Sequence, residues 1–294
     1  MEFQLLLDKG ANIAETPVWD GRKDCLYWTD LSMGDVHRYT ISTGEDACFH
    51  AGNLIGSAIP TDDPDKVVAV VQTGAYIFDL STGVKTLLCD PNQGDLHLQY
   101  NDSRVDAAGR LYLSTVVTTP DPEHPDLAGK FYMLDTDHKT IRVLVDRIGQ
   151  YNGMCWNKDN TRMFVVDTNE QKLMAFDYDL ATGPVGPAQE VLDFKGKQGM
   201  PDGMAIDCDD NLYICHWSGV ISVWDKDLQL VREIEGPVCY LACCGFGGAE
   251  YKDLYLATAR YDCSEDYIKT HPGTGGIFVS HTDIPGRGDN FFPL

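Results

Sequence analysis

The sequence predicts an all-β chain folded as a six-bladed β-propeller, and two observations carry the prediction. A hairpin-like module returns six times, its opening positions 41 to 51 residues apart, near the ~40–50 residues of one four-stranded blade. Almost no helical periodicity interrupts the modules. The clearest copy spans residues 200–219. It opens on Pro201-Asp202-Gly203, runs through apolar residues, turns at the Asp/Asn-rich 207–211, and returns as Leu212-Tyr213-Ile214-Cys215. Two apolar runs joined by such a turn read as an antiparallel hairpin.

The other copies follow in order. The first opens at Ala14-Glu15-Thr16-Pro17-Val18-Trp19 and returns through Cys25-Leu26-Tyr27-Trp28. The second runs from Ile55-Gly56-Ser57-Ala58 to 67–71 and 75–80. The third opens at Tyr100-Asn101-Asp102 and the fourth at Tyr151-Asn152-Gly153. The fifth is the copy above, and the sixth runs from 238–244 through 255–259 to 276–280. Units of this kind cannot bury both faces alone, whereas a radial arrangement buries each sheet between its neighbours. A two-domain β-sandwich would not produce self-similarity at blade length. One domain is therefore expected over 1–294. Two insertions, 117–129 and 260–275, are expected to extend strand connections and cap one end of the central channel.

Composition narrows the function classes. Hydrophobic residues make up 43% of the 294, ample for a core. The net charge of −22 argues against nucleic acid or an anionic membrane as partner, since both would repel the chain. No apolar run approaches the ~20 residues of a membrane span, and the first ten residues lack the basic and apolar regions of a signal peptide. The ten cysteines show no CxxC or zinc-type spacing, so small, mostly buried thiols in a reducing compartment are expected, and with them a cytoplasmic location. The Asn101-Asp102-Ser103 sequon reads as accidental.

In a propeller the first strand of every blade lines the channel, so residues opening successive modules converge on the axis. Those residues are Glu15, Ser57, Asn101, Asn152, Asp202 and Cys243. Four are hard oxygen donors from four blades, and their convergence suits a hard divalent cation with room for water and substrate. Without a cation, Glu15 and Asp202 would repel and one would protonate. Each residue alone is also an ordinary turn residue; their shared phase in the repeat is what points to a site. Other motifs are absent: no GxSxG, HExxH, phosphate-binding GxxxxGK[ST] or GxGxxG after a strand. His216 reads as a satisfied histidine, Trp19, Trp28, Trp156 and Trp224 as core, and Asp79, Asp135, Asp167, Asp177 and Asp225 as turn residues at strand ends.

At these positions the chain resembles the SMP-30/gluconolactonase/luciferin-regenerating family, also called regucalcin-like. The resemblance rests on Glu15-Thr16-Pro17-Val18-Trp19, on Asn101-Asp102 with 106–112, and on Asn152-Gly153 with Asp159 and Asp167. It continues in Pro201-Asp202-Gly203 with Asp207, in Phe246-Gly247-Gly248, and in Gly275-Gly276-Ile277-Phe278. It implies one divalent metal held by a glutamate, an asparagine and an aspartate, which match Glu15, Asn152 and Asp202. It implies a substrate contact by the asparagine matched by Asn101, and hydrolysis of sugar-acid lactones as the activity. One departure stands out. The family usually carries a ligand-holding arginine two residues before that asparagine, and this chain has Gln99, a neutral donor in place of a fixed charge.

The expected mechanism has the cation act on the lactone carbonyl, Asp202 serve as general base toward water, and Asn101 and Gln99 orient the substrate. Calcium, magnesium, manganese and zinc all suit the donors, and iron(II) is compatible with a carboxylate set. Two alternatives stay open: a phosphotriesterase-type propeller hydrolase, and a non-catalytic propeller that binds calcium or a metabolite. The oligomeric state is left open.

Overall fold

Six four-stranded antiparallel sheets account for nearly all regular structure in the computed structural model, which describes residues 1–119 and 122–294. Inner strands are Ala14–Asp20, Ile55–Pro60, Leu98–Val105, Tyr151–Trp156, Pro201–Ile206 and Leu241–Gly247. Five blades take their four strands consecutively; the first, for example, continues with Cys25–Asp30, Asp35–Thr40 and Glu45–His50. Burial falls outward across each sheet. Ile55–Pro60, Tyr151–Trp156 and Pro201–Ile206 are buried at every residue, whereas the outer strand Glu45–His50 alternates toward solvent. Inner strands are buried whatever their composition: Ile55–Pro60 is apolar or small throughout, whereas Leu98–Val105 buries Gln99, Asn101, Asp102 and Arg104.

Hydrophobic burial sits between blades. Six clusters form the core, and each joins side chains of two neighbouring sheets, as Val68 and Val70 of the second blade meet Leu111 and Leu113 of the third. The ring is one sheet-to-sheet stack closed on itself, the arrangement the repeat spacing predicts. Closure comes from the N-terminus. Gln4–Leu7 pairs antiparallel with Ile277–His281 and supplies the fourth strand of the sixth blade. The sequence shows only three strands for this blade, because a strand completed from the other chain end leaves no local signal. The seam between sixth and first blades is filled by Ala14, Trp28, Tyr255 and Ile277.

The hairpin turns are Asx-type. Asp207 Oδ1 accepts from Asp209 N and Asn211 N at 2.9 Å each, and Asp106 Oδ1 accepts from Ala108 N at 2.8 Å and Arg110 N at 2.9 Å. The side chain satisfies amides the turn would leave bare. Strand-end aspartates behave the same way, as Asp79 and Asp225 do. The only α-helix among the described residues is Glu265–Thr270, within the second insertion, N-capped by Ser264.

After the last strand the chain crosses the end of the channel where the inner strands finish. Arg287 N donates to Ile206 O at 3.0 Å, Asn290 Nδ2 to Val105 O at 3.0 Å, and Phe292 N to Pro60 O at 2.9 Å. Phe292 is buried against the second and third blades. This strap covers one mouth, so access to the axis is from the other. No helix of the described residues is long and apolar enough to cross a membrane. Six of the ten cysteines are buried; Cys48 and Cys208 are exposed and Cys239 and Cys263 half-buried, so the expectation of buried thiols holds for part of the set.

Candidate functional site

The site is built by one irregularity repeated six times. In every inner strand the pairing register slips where the strand meets the axis: between Glu15 and Val18, Ile55 and Ser57, Tyr100 and Ser103, Tyr151 and Met154, Pro201 and Met204, and Leu241 and Cys243. A bulge bends the strand and re-aims a side chain that regular pleating would point into the sheet interface. Thr16, next to Glu15, has φ of 44°, a strained value for a β-branched residue. Close approach completes the geometry. A Cβ on Gly203 would lie 2.4 Å from Cys243 Sγ, and one on Gly153 2.3 Å from Met204 N, so only glycine lets these strands crowd around the axis.

Glu15, Gln99, Asn101, Asn152, Asp202 and Trp217 line one cavity of about 660 Å³. All five residues singled out from the sequence as metal or substrate groups thus come together. Ser57 and Cys243, which share their phase, stay outside. Ser57 is fully buried, and its Oγ has no hydrogen-bond partner among the described residues. Cys243 packs under Gly203, its Sγ 3.6 Å from a guanidinium nitrogen of Arg104.

Hydrogen bonds fix the carboxamides. Asn101 Nδ2 donates to Tyr151 O at 3.0 Å and to Asn152 Oδ1; Asn152 Nδ2 donates to Thr168 Oγ1 at 2.5 Å, and that hydroxyl donates to Pro201 O at 2.7 Å. This relay ties the third blade to the fifth. Trp217 Nε1 donates to Asp202 Oδ2 at 2.5 Å, and Thr16 N to Glu15 Oε2 at 3.3 Å. Asp202 Oδ1, Glu15 Oε1 and Asn101 Oδ1 have no protein donor among the described residues. Each offers lone pairs to a ligand.

The electrostatics call for a cation. Burial, then the charges of Asp202 and Asp102, pushes the Glu15 carboxyl well up. Burial and the Asp102 charge push Asp202 up to about 8 against the Trp217 hydrogen bond. Beneath them Arg104 NH1 meets Asp102 Oδ1 at 2.9 Å, and its Nε meets Asp289 of the C-terminal strap at 3.4 Å. Four largely buried carboxylates thus gather around one guanidinium. Two carboxylates and two carboxamides converge here, three of them with an open oxygen and Asn152 Oδ1 with a second lone pair beside its bond from Asn101. This is a donor set a hard divalent ion takes, and such an ion would offset the excess charge. The residues present fit the group.

Several participants escaped the sequence reading. Trp217 lies just after the return strand of the fifth blade, one residue past His216, and Thr168 sits in the equivalent place in the fourth. Tyr261, from the second insertion, and Val117 and Thr118, from the first, also line the cavity. Both insertions thus reach the open mouth as expected, though Pro120 and Asp121 of the first lie outside the described residues. Arg104 carried a readable signal, a basic residue inside an otherwise buried inner strand. His216 is satisfied as expected: it is buried, its Nε2 is 2.7 Å from Ser222 Oγ, and burial holds its ring down to about 4.

Fold and site define the class: a six-bladed propeller with an acidic, amide-lined axial cavity open at one mouth. The model of the SMP-30/gluconolactonase/LRE-like region matches residues 13–260. YvrE of Bacillus subtilis, whose name marks it as a candidate sugar lactone lactonase, is 26% identical over 288 residues, covering 97% of each chain. Regucalcin of Gallus gallus is 27% identical over 278 residues, covering 90% of this chain and 89% of its own. The structure of a calcium-binding protein, regucalcin, from Agrobacterium tumefaciens superposes with a TM-score of 0.91 at 23% identity, covering 99% of this chain and 97% of that one. The chain belongs to the SMP-30/gluconolactonase/LRE-like family.

Proposed function

We propose that this chain is a divalent-metal-dependent lactonase acting on a sugar-acid lactone. The observation that carries the reading is the convergence of Glu15, Asn101, Asn152 and Asp202, from four blades, on one cavity with more carboxylate charge than its single arginine offsets. Family membership supplies the reaction class, and the names borne by its relatives point the same way.

Glu15, Asn152 and Asp202 would hold the metal, which when bound supplies Lewis-acid stabilisation of the charge that develops on the lactone carbonyl oxygen. Asp202 has its Oδ2 held by Trp217, which leaves Oδ1 free to take a proton from the attacking water. A bound cation favours the ionised carboxylate, the form a base needs at neutral pH. Asn101, anchored by its Nδ2, and Gln99 orient the lactone through neutral hydrogen bonds. Trp217 and Tyr261, which meet edge to face, form an aromatic wall of the same cavity. With Gln99 where the family usually has arginine, no fixed positive charge reads the substrate at that point, which favours lactones without an anionic group there.

The test is a proton-release assay over a panel of aldonolactones and an organophosphate triester. It starts from metal-stripped protein, with calcium, magnesium, manganese, zinc or iron(II) added back singly. Lactone turnover that depends on the added ion supports the reading. Turnover of the triester alone would move the chain to the phosphotriesterase alternative. Ion binding with no turnover on either panel would make it a binding propeller.

A further inference from the structure

Outside the channel, the outer half of the first blade gathers a second set of donors. Asp35–Thr40 and Glu45–His50 pair antiparallel with Asp35 opposite His50, His37 opposite Cys48, and Tyr39 opposite Asp46. Alternation puts these six side chains on one face, each cross-strand pair within reach of the next. A carboxylate oxygen of Asp35, a ring nitrogen of His37 and Cys48 Sγ lie within 4.8 Å of one another.

Two supporting contacts distinguish the cluster from a chance surface gathering. His37 Nδ1 is 2.8 Å from Asp46 Oδ2, which fixes the tautomer that carries its lone pair on Nε2. Asp46 is itself held by Lys9 Nζ at 2.8 Å and by Trp28 Nε1 at 3.3 Å, and the Trp28 ring stacks on His37 with centroids 3.9 Å apart. His50 Nδ1 in turn holds Asp35 Oδ1 at 2.8 Å, while Oδ2 has no other nitrogen donor among the described residues and keeps its lone pairs. Orientation of a ligating histidine by a buried carboxylate, and of a ligating carboxylate by a further donor, is the outer arrangement protein metal sites use.

We propose that Asp35, His37 and Cys48 form a second metal site on the first blade, one that takes zinc through one oxygen, one nitrogen and one sulfur, with water in the fourth place. The mixed donors separate it from the channel. Thiolate and imidazole favour a softer ion such as zinc over calcium or magnesium, whereas the all-oxygen set around Glu15 and Asp202 accepts those hard ions as well as zinc. In the free protein the thiol is protonated: burial, and then the charge and hydrogen bond of Asp35, push it up to about 11. On binding, the thiol proton goes to solvent and the metal takes its place between sulfur and carboxylate, so ion uptake releases one proton per site. No electron moves.

Position gives the site a consequence. Lys9 lies two residues beyond Gln4–Leu7, the strand that completes the sixth blade, while Asp46 belongs to the first. Trp28, under the His37 ring, is part of the core that fills the seam between those blades. A metal at Asp35, His37 and Cys48 therefore braces the hairpin onto which the ring closes, and it stabilises the closed propeller by binding the native chain alone.

Cobalt(II) replaces zinc at such sites and reports a thiolate ligand through a near-ultraviolet charge-transfer absorption. The full reduced chain, titrated with cobalt(II), is expected to show that absorption saturating at one equivalent and to lose it when zinc is added. Cys48→Ser should abolish it; this residue is exposed and the change is small, so the variant should keep the wild-type circular dichroism spectrum. Asp202→Asn, altered only in the channel, should keep it. Asp46→Asn should weaken cobalt binding about 10- to 100-fold, through loss of the histidine's orienting partner. Zinc should raise the melting temperature of the Asp202→Asn chain but not of the same chain carrying Cys48→Ser. Absence of the thiolate absorption in the wild-type chain would overturn the site. So would its persistence in Cys48→Ser, which would assign it to another thiol such as the Cys239 and Cys263 pair, whose sulfurs lie 3.8 Å apart.

Discussion

Replacing Asp202 by asparagine in metal-free protein should stabilise the fold, and the gain should depend on pH. An aspartate in the unfolded chain ionises near ~4, whereas burial and then the Asp102 charge hold Asp202 protonated up to about 8 in the native state. Between those values the unfolded chain has already released its proton and the native chain has not. Wild-type stability therefore falls as pH rises from about 4 toward 8, with the deficit fully developed above the native value. The separation converts to roughly 5 kcal/mol, and water reaching the open cavity screens part of it. A gain of about 3 kcal/mol at pH 8, or roughly 6 °C in melting temperature, is the expectation for the variant. Trp217 Nε1 can still donate to the amide oxygen, so the variant keeps its hydrogen bond. Thermal unfolding followed by circular dichroism, in chelator at pH 5 and pH 8, reads the effect, and the gain should shrink to roughly a third at pH 5. Adding a divalent cation should then reverse the order, because only the wild type has the full ligand set. A variant no more stable than wild type at pH 8 in chelator, or a gain equal at both pH values, would refute the argument that charge crowding defines this cavity.

Three other outcomes follow from the same geometry. Arg104→Met strands Asp102 and Asp289 without their guanidinium and should cost about 3–5 kcal/mol in urea unfolding; adding Asp102→Asn should recover part of the loss. Gly203→Ala drives a methyl to 2.4 Å from Cys243 Sγ and 2.6 Å from its Cα, so the fifth and sixth blades must part, at about 2–3 kcal/mol by the same measurement. Trp217→Phe keeps the aromatic wall and removes the donor to Asp202 Oδ2. Lactone turnover should drop about tenfold with the melting temperature nearly unchanged; unaltered turnover would remove Trp217 from any part in positioning the aspartate.

The blade count, the four donors and their meeting at one axis were legible in the chain, because each blade is a local unit and repetition turns sequence phase into spatial position. Glu15, Asn101, Asn152 and Asp202 could be found by counting from one module to the next. What tertiary structure alone decided lies in contacts between distant segments, and no local pattern encodes those. Gln4–Leu7 becomes a strand of the sixth blade only once Ile277–His281 presents an open edge. The bulges that aim Asn152 and Asp202 inward arise where six strands crowd one axis. Trp217 reaches Asp202 across the mouth of its own hairpin, and Asp289 reaches Arg104 from a strap 185 residues further along the chain. Composition and spacing set which groups the axis would receive; packing set which of their atoms stay open, since a lone pair is free only when no neighbour arrives to claim it.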